Sequence, residues 1–263
     1  RRNYVLLRLL DDGKITQAEY DATKAEPIVP SIHPTQQGCA TAGKSAYFCQ
    51  YVKTVIESDE AFGETLTERR ETLKRGGLKV YTTLNLAIQQ AGIDSMTKYV
   101  EPTMDRIQLG AAGVTIEAKT GRILAMVQNT NFTESQNPEP GYTGLVYASD
   151  KQHGGSIGFN VGSTYKLFTL IDWLEKGHSV NEVLNGRMQT FKKYTECGQT
   201  RTNVTPIHNF NKSGGRVSTV RDFTRLSLNT GYLAMAVQLD VCDINKAAER
   251  MGVTMGDGTS VMN

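Results

Sequence analysis

Ser163 and Lys166 are the pair in this sequence best arranged for nucleophilic chemistry. Three residues apart at the start of a helical pattern, their side chains share one face, with Cβ atoms about 5 to 6 Å apart. A serine hydroxyl becomes a nucleophile when a neighbour takes its proton, and a lysine can do so only as the neutral amine. Burial and the positive end of a helix both disfavour the ammonium, so Lys166 stands where its pKa would be lowered. Gly162 precedes the pair, a long loop delivers it, and a strongly apolar run follows it. A second candidate element is Ser227-Leu228-Asn229, at a break between two helices. There a hydroxyl can relay a proton and an amide can hold a peptide carbonyl.

Both patterns have decoys. Ser95-Met96-Thr97-Lys98 repeats the serine–lysine spacing, but it lies mid-helix among Asp94 and Glu101, which reads as a solvated face. Ser135-Gln136-Asn137 repeats Ser-x-Asn in a loop upstream of Ser163, and a nucleophile-first order leaves only Ser227 to Asn229 downstream. His33, His153, His178 and His208 are scattered and read as surface or satisfied core residues rather than bases. Cys39, Cys49, Cys197 and Cys242 form no CxxC pair and have no clustered histidines nearby, so no metal is expected. Four cysteines allow three pairings. The local one, Cys39 with Cys49 and Cys197 with Cys242, joins nearest thiols in sequence and is preferred; four buried thiols are the alternative.

The elements that must position these residues follow from periodicity and turn chemistry. Arg2 to Leu10 and Gln17 to Ala25 read as two short helices, the second opened by a Thr16/Glu19 capping box. Residues 27–65 hold three prolines and little periodicity before Tyr47, which suggests a linker with one short helix near Tyr47 to Ile56. A charged helix from Thr67 to Arg75 stops at Gly76-Gly77, Leu78 to Thr83 is β-prone, and a helix runs from Asn85 to Val100. Ala111 to Ala118 and Arg122 to Asn129 flank a Lys-Thr-Gly turn as a hairpin. Residues 130–162 form a long loop, and helices follow from Ser163, over Val220 to Leu226 with Thr219 as cap, and over residues 230–239 and 244–251. The order is α+β rather than alternating βαβ.

Composition sets the outer limits. With 263 residues, 39% hydrophobic, 21% charged and a net charge of +2, the chain is neither a disordered acidic polymer nor a nucleic-acid binder held by bulk charge. No apolar run approaches the roughly 18 residues of a membrane span, and none reads as a signal peptide. The length suggests one large domain or one and a half ordinary ones.

Ser-x-x-Lys followed by Ser-x-Asn is the opening of the motif set of penicillin-binding proteins and β-lactamases. Longer strings sharpen the match: Gly76 to Gln90 (GGLKVYTTLNLAIQQ), Gly113 to Val127 (GVTIEAKTGRILAMV), Gly162 to Thr169 (GSTYKLFT) and Val217 to Tyr232 (VSTVRDFTRLSLNTGY). Together they resemble the transpeptidase domain of a class A penicillin-binding protein, and Arg1 to Pro27 resembles the closing helices of the glycosyltransferase domain that precedes it. Ala46 to Val52 (AYFCQYV) is similar to actinobacterial members. The resemblance implies a penicillin-binding (serine β-lactamase-like) α+β fold over residues 78–263, incomplete at its C-terminal end. A linker over 28–77 and a glycosyltransferase tail over 1–27 would precede it, with Arg1 and Asn263 as cut points.

What the resemblance implies for function is an extracytoplasmic enzyme that cross-links peptidoglycan stem peptides, without a cofactor or nucleic acid. Its partners would be stem peptides, lipid-linked precursor strands and β-lactams, and its membrane anchor would lie in the parent protein. Ser163 would attack the penultimate D-Ala carbonyl, Lys166 would accept its proton, Ser227 would pass a proton toward the leaving amine, and Asn229 would hold the acyl side-chain amide. The Ser163 N–H would supply half of an oxyanion hole. The family's third motif, Lys-Thr/Ser-Gly downstream of Ser-x-Asn, departs from this pattern: Lys119 to Gly121 and Lys212 to Gly214 both precede Ser227. Two further readings therefore stand beside transpeptidation: a catalytically inactive fragment or scaffold, and a β-lactamase or β-lactam sensor forming the same acyl-enzyme.

Overall fold

The computed structural model describes residues 1–31, 38–202, 207–210 and 212–262; His33 lies outside them. The chain divides into two compact units, Arg1–Gln37 and Gly38–Asn263. In the first, α1 (Arg2–Asp11) and α2 (Gln17–Ala25) form a helical pair. The Thr16/Glu19 capping box is formed, and the Arg2 guanidinium donates to the carbonyls of Lys24 and Glu26, tying the start of one helix to the end of the other.

The second unit begins at Gly38, so residues 38–77 pack within it. Here α3 (Ala46–Ser58) buries Tyr47, Phe48 and Ile56, and α4 (Leu66–Arg75), opened by a Thr65/Glu68 capping box and closed at Gly76, packs on it. Residues 38–77 join the compact unit because α3 carries apolar side chains into a core with Met126 and Val146. Then comes α5 (Leu86–Tyr99), capped by Asn85. The short pair β1 (Thr103–Met104) and β2 (Ile107–Gln108) leads to the hairpin of β3 (Ala112–Ile116) and β4 (Ile123–Gln128). Its turn is Lys119-Thr120-Gly121, where the N–H groups of Thr120 and Gly121 donate to the Glu117 carbonyl and Gly121 has φ +72°. Leu78 to Thr83 forms no strand. Asn85 N–H and Thr83 Oγ1 bond to carbonyls at the start of β4, too few bonds to extend a ladder.

Residues 130–162 are largely loop, with only β5 (Asn131–Phe132) pairing β6 (Tyr142–Thr143) and the single turn of α6 (Lys151–Gly154). A 3-10 turn, Gly162–Tyr165, then runs into α7 (Lys166–Glu175). Strands that periodicity missed follow: β7 (Val183–Arg187), the hairpin of β8 (Lys193–Glu196) and β9 (Gln199–Thr202), and β10 (Gly215–Thr219), which pairs back onto β7. They escape notice because β8 and β9 are polar on both faces and β7 meets β10 across a long interval. Finally α8 (Val220–Arg225), capped by Thr219, α9 (Asn229–Ala236) and α10 (Val241–Arg250) close the unit.

The helical core is built around Trp173, Phe223, Met235 and Val220, all fully buried, with α7, α9 and α10 packed together. Cys39 is bonded to Cys49 and Cys197 to Cys242. Among the described residues no helix is long and apolar enough to cross a membrane.

Candidate active site

Ser163 comes from the 3-10 turn and Lys166 from the first residue of α7, so one helical turn presents both on the same face. Gly162 enters this turn at φ +51°, a left-handed conformation that a side chain would strain. Tyr165 and Phe168 meet edge to face, Phe168 as part of the helical core and Tyr165 packed against it. Tyr165 also donates its hydroxyl to Asn245 Oδ1 of α10 at 2.7 Å, which anchors the turn from beneath.

Ser227 and Asn229 arrive from the break between α8 and α9. The Leu228 side chain is buried, and its N–H donates to the Phe223 carbonyl, turning the chain sharply. Ser227 consequently sits at φ +49°, an uncommon conformation for a residue with a Cβ, between the end of α8 and the buried Leu228. Such local strain concentrates at functional sites.

Lys166 Nζ is the hub. It lies 3.1 Å from Ser163 Oγ, 3.1 Å from Ser227 Oγ, 2.7 Å from the Ser227 carbonyl and 2.5 Å from Asn229 Oδ1. The Tyr232 ring, one turn further along α9, has its centroid 5.6 Å from the same nitrogen. Burial lowers the pKa of Lys166 from its ordinary value and raises that of Tyr232, whose hydroxyl bonds to Thr224 Oγ1. The two shorter contacts of Lys166 go to oxygens that can only accept; the two longer ones go to hydroxyls that can accept or donate. A neutral amine has two N–H donors and one lone pair. It can therefore serve both obligate acceptors and still receive a proton from one hydroxyl at a time, Ser163 or Ser227.

Sequence spacing singled out Ser163, Lys166, Ser227 and Asn229, and the structure brings the other three within hydrogen-bond reach of Lys166 Nζ. The decoys stay apart. Ser95 and Lys98 are exposed on α5, where Lys98 lies over the Tyr99 ring, and Ser135 bonds within its own loop. Lys212 to Gly214 forms a loop leading into β10, with Lys212 at φ +57°. Two contributors were not apparent from sequence. Tyr232 shares a helix face with Asn229, three residues on, a spacing that could have found it. The His208 carbonyl, which accepts from Asn229 Nδ2 at 2.8 Å, leaves no side-chain signal at all.

No family model matches the chain. Penicillin-binding protein 1A of Mycolicibacterium smegmatis is 25% identical over 255 residues, which is 96% of this chain and 28% of that protein. Penicillin-binding protein 1A of Vibrio cholerae is 35% identical over 105 residues, covering 38% of this chain and 11% of its own length. The chain thus spans little more than a quarter of the Mycolicibacterium relative. Among solved structures, the PonA1 protein of Mycobacterium tuberculosis in complex with penicillin V superposes with a TM-score of 0.50 at 22% identity, over 70% of this chain and 42% of that one. That likeness establishes the fold.

Proposed function

We propose that this chain, a homologue of class A penicillin-binding proteins, carries the acylation site of a peptidoglycan D,D-transpeptidase. The observation that carries this reading is the convergence of Ser163 Oγ, Ser227 Oγ and Asn229 Oδ1 on Lys166 Nζ. Neutral Lys166 takes the Ser163 proton as Oγ bonds to the carbonyl carbon of the penultimate D-Ala. The tetrahedral intermediate then collapses, breaking the C–N bond. Lys166, now an ammonium, returns the proton through the Ser227 hydroxyl to the departing D-Ala amine. An amine from a neighbouring strand attacks the acyl-enzyme by the reverse sequence.

Asn229 has a dual part in this scheme. Its Oδ1 is committed to Lys166 and one Nδ2 hydrogen to the His208 carbonyl, which leaves one N–H to donate to an acyl side-chain amide. A β-lactam would acylate Ser163 in the same way, with its leaving nitrogen kept tethered by the opened ring. The site of action would be the extracytoplasmic face of a bacterial membrane, with stem peptides and lipid-linked strands as partners.

The test is covalent labelling by a fluorescent penicillin, mapped by mass spectrometry on the chain and on Ser163→Ala. The expected result is an adduct on Ser163 that persists for minutes and is absent from the variant. No adduct on a folded chain would mark an inactive scaffold, and an adduct that clears within seconds would mark a β-lactamase.

A further inference from the structure

We propose that Asn209 and Thr230 are positioning residues of the Ser163 site: they pin the His208 carbonyl to the first turn of α9 and so decide which edge of the Asn229 amide faces Lys166. This rests on reading that site as an acylation centre.

A side-chain amide has an oxygen edge and an NH2 edge of almost the same shape, so its partners select the orientation. With the oxygen toward Lys166, Asn229 accepts from the amine at 2.5 Å. With the edges exchanged, N–H would face N–H, and Lys166 would lose one of its two obligate acceptors. What selects the productive orientation is the His208 carbonyl, which takes Asn229 Nδ2 at 2.8 Å. That carbonyl lies in a loop, so something must hold the loop.

The holding network is buried. Asn209 and Thr230 are 5% and 2% exposed. Asn209 Oδ1 accepts the Thr230 N–H at 3.1 Å, and its Nδ2 donates to the Ser213 carbonyl at 2.9 Å and to Thr230 Oγ1 at 3.2 Å. Thr230 Oγ1 in turn donates to the Gly186 carbonyl of β7 at 2.6 Å. The β7–β10 pair, the loop before β10 and the start of α9 therefore meet at one hydroxyl. The convergence is too tight for a side chain on the neighbouring strand: a Cβ at Gly215 would stand 2.1 Å from the Gly186 oxygen and 2.5 Å from Thr230 Oγ1. Among the bonds of the described residues neither Asn209 nor Thr230 reaches Ser163 or Lys166, so their influence passes through Asn229.

The experiment compares Thr230→Val, close in shape but without the hydroxyl, with Thr230→Ser, which retains it. Thr230→Ala is the second variant should the valine chain not fold. Two quantities are read: the second-order rate of acylation by fluorescent penicillin across pH, and hydrogen exchange of the Asn229 side-chain amide by NMR of asparagine-labelled protein. The expected result is an acylation rate lower by about 10- to 100-fold with a displaced pH profile for Thr230→Val, as for a reacting group misplaced by a fraction of an ångström. Faster exchange at Asn229 should accompany it, and Thr230→Ser should restore most of both. A valine variant that melts earlier, yet acylates at the original rate with the original pH profile and an unchanged Asn229 amide, would overturn the proposal. If the unmodified chain is not acylated, the acylation reading fails, while the exchange measurement still decides whether the clamp orients Asn229.

Discussion

Everything at Lys166 turns on one proton. Burial holds its pKa below the ordinary 10.5, so a larger fraction is the neutral base at any pH below that value. Acylation of Ser163 is therefore expected to rise with pH and to level off below 10.5. The sign for stability agrees: between its lowered folded pKa and the ordinary value, the folded chain binds fewer protons at this site than the unfolded chain, so its contribution improves as pH rises. Lys166→Arg retains positive charge and hydrogen-bond donors but cannot give up a proton. It should lose about 10²- to 10⁴-fold in acylation rate, the usual value of general-base assistance, without the high-pH rise. Stopped-flow acylation of both proteins from pH 6 to 10 checks this, and a variant that keeps the parent's rate and pH profile would remove Lys166 from the base role. The Ser163/Lys166 pair was legible in sequence because both residues lie on one helical turn. Asn209 and the His208 carbonyl were not, because they reach the start of α9 from far upstream through a backbone oxygen and a buried amide, neither of which leaves a pattern.

At the scale of elements, the hairpin of β8 and β9 is fastened to α10 at one acidic residue. Asp240 accepts the N–H of Cys197 at 2.8 Å, of Gly198 at 2.7 Å and of Cys242 at 2.9 Å, beside the Cys197–Cys242 disulfide. It both caps α10 and docks the hairpin, which is why the helix begins at Val241 rather than at residue 244, where apolar spacing alone places it. Burial pushes the Asp240 carboxyl up, but the three backbone donors outweigh it and hold the pKa below the ordinary 3.8. Its contribution is thus full above 3.8 and lost as pH falls through the lower folded value. Asp240→Ala should cost about 1 to 2 kcal/mol at pH 7, the upper range for a lost N-cap. The gap between the two proteins should close in strong acid. Urea unfolding at pH 7 and pH 2.5 measures both; parallel loss of stability in the two proteins would show that Asp240 does not hold the hairpin. The helices were readable from apolar spacing and capping pairs such as Thr16/Glu19, whereas β8 and β9 carry no apolar alternation and owe their place to this anchor.

At the scale of the whole molecule, the weak point is an open edge. Among the described residues β3 pairs only with β4, while the other side of β4 meets α5 and the segment around Asn85. The free edge of β3 also carries apolar side chains in water: Val114 is 38% exposed and Ile116 57%. An unpaired strand with an apolar face is a template for a second strand, and proteins ordinarily guard such edges with charge. Little guards this one globally either, since a net charge of +2 on 263 residues gives weak repulsion between copies. The chain is therefore expected to self-associate with rising concentration through β3. Ile116→Lys should suppress that association, because two edges brought together would have to desolvate a charge on each strand. The same substitution lies away from Ser163, Lys166, Ser227 and Asn229 and should leave penicillin acylation as it was. Light scattering against concentration for the two proteins provides the measurement. Equal association in both would move the sticky surface away from β3, and reduced acylation in Ile116→Lys would mean that the hairpin and the helical core, which share one compact unit, do not tolerate change independently.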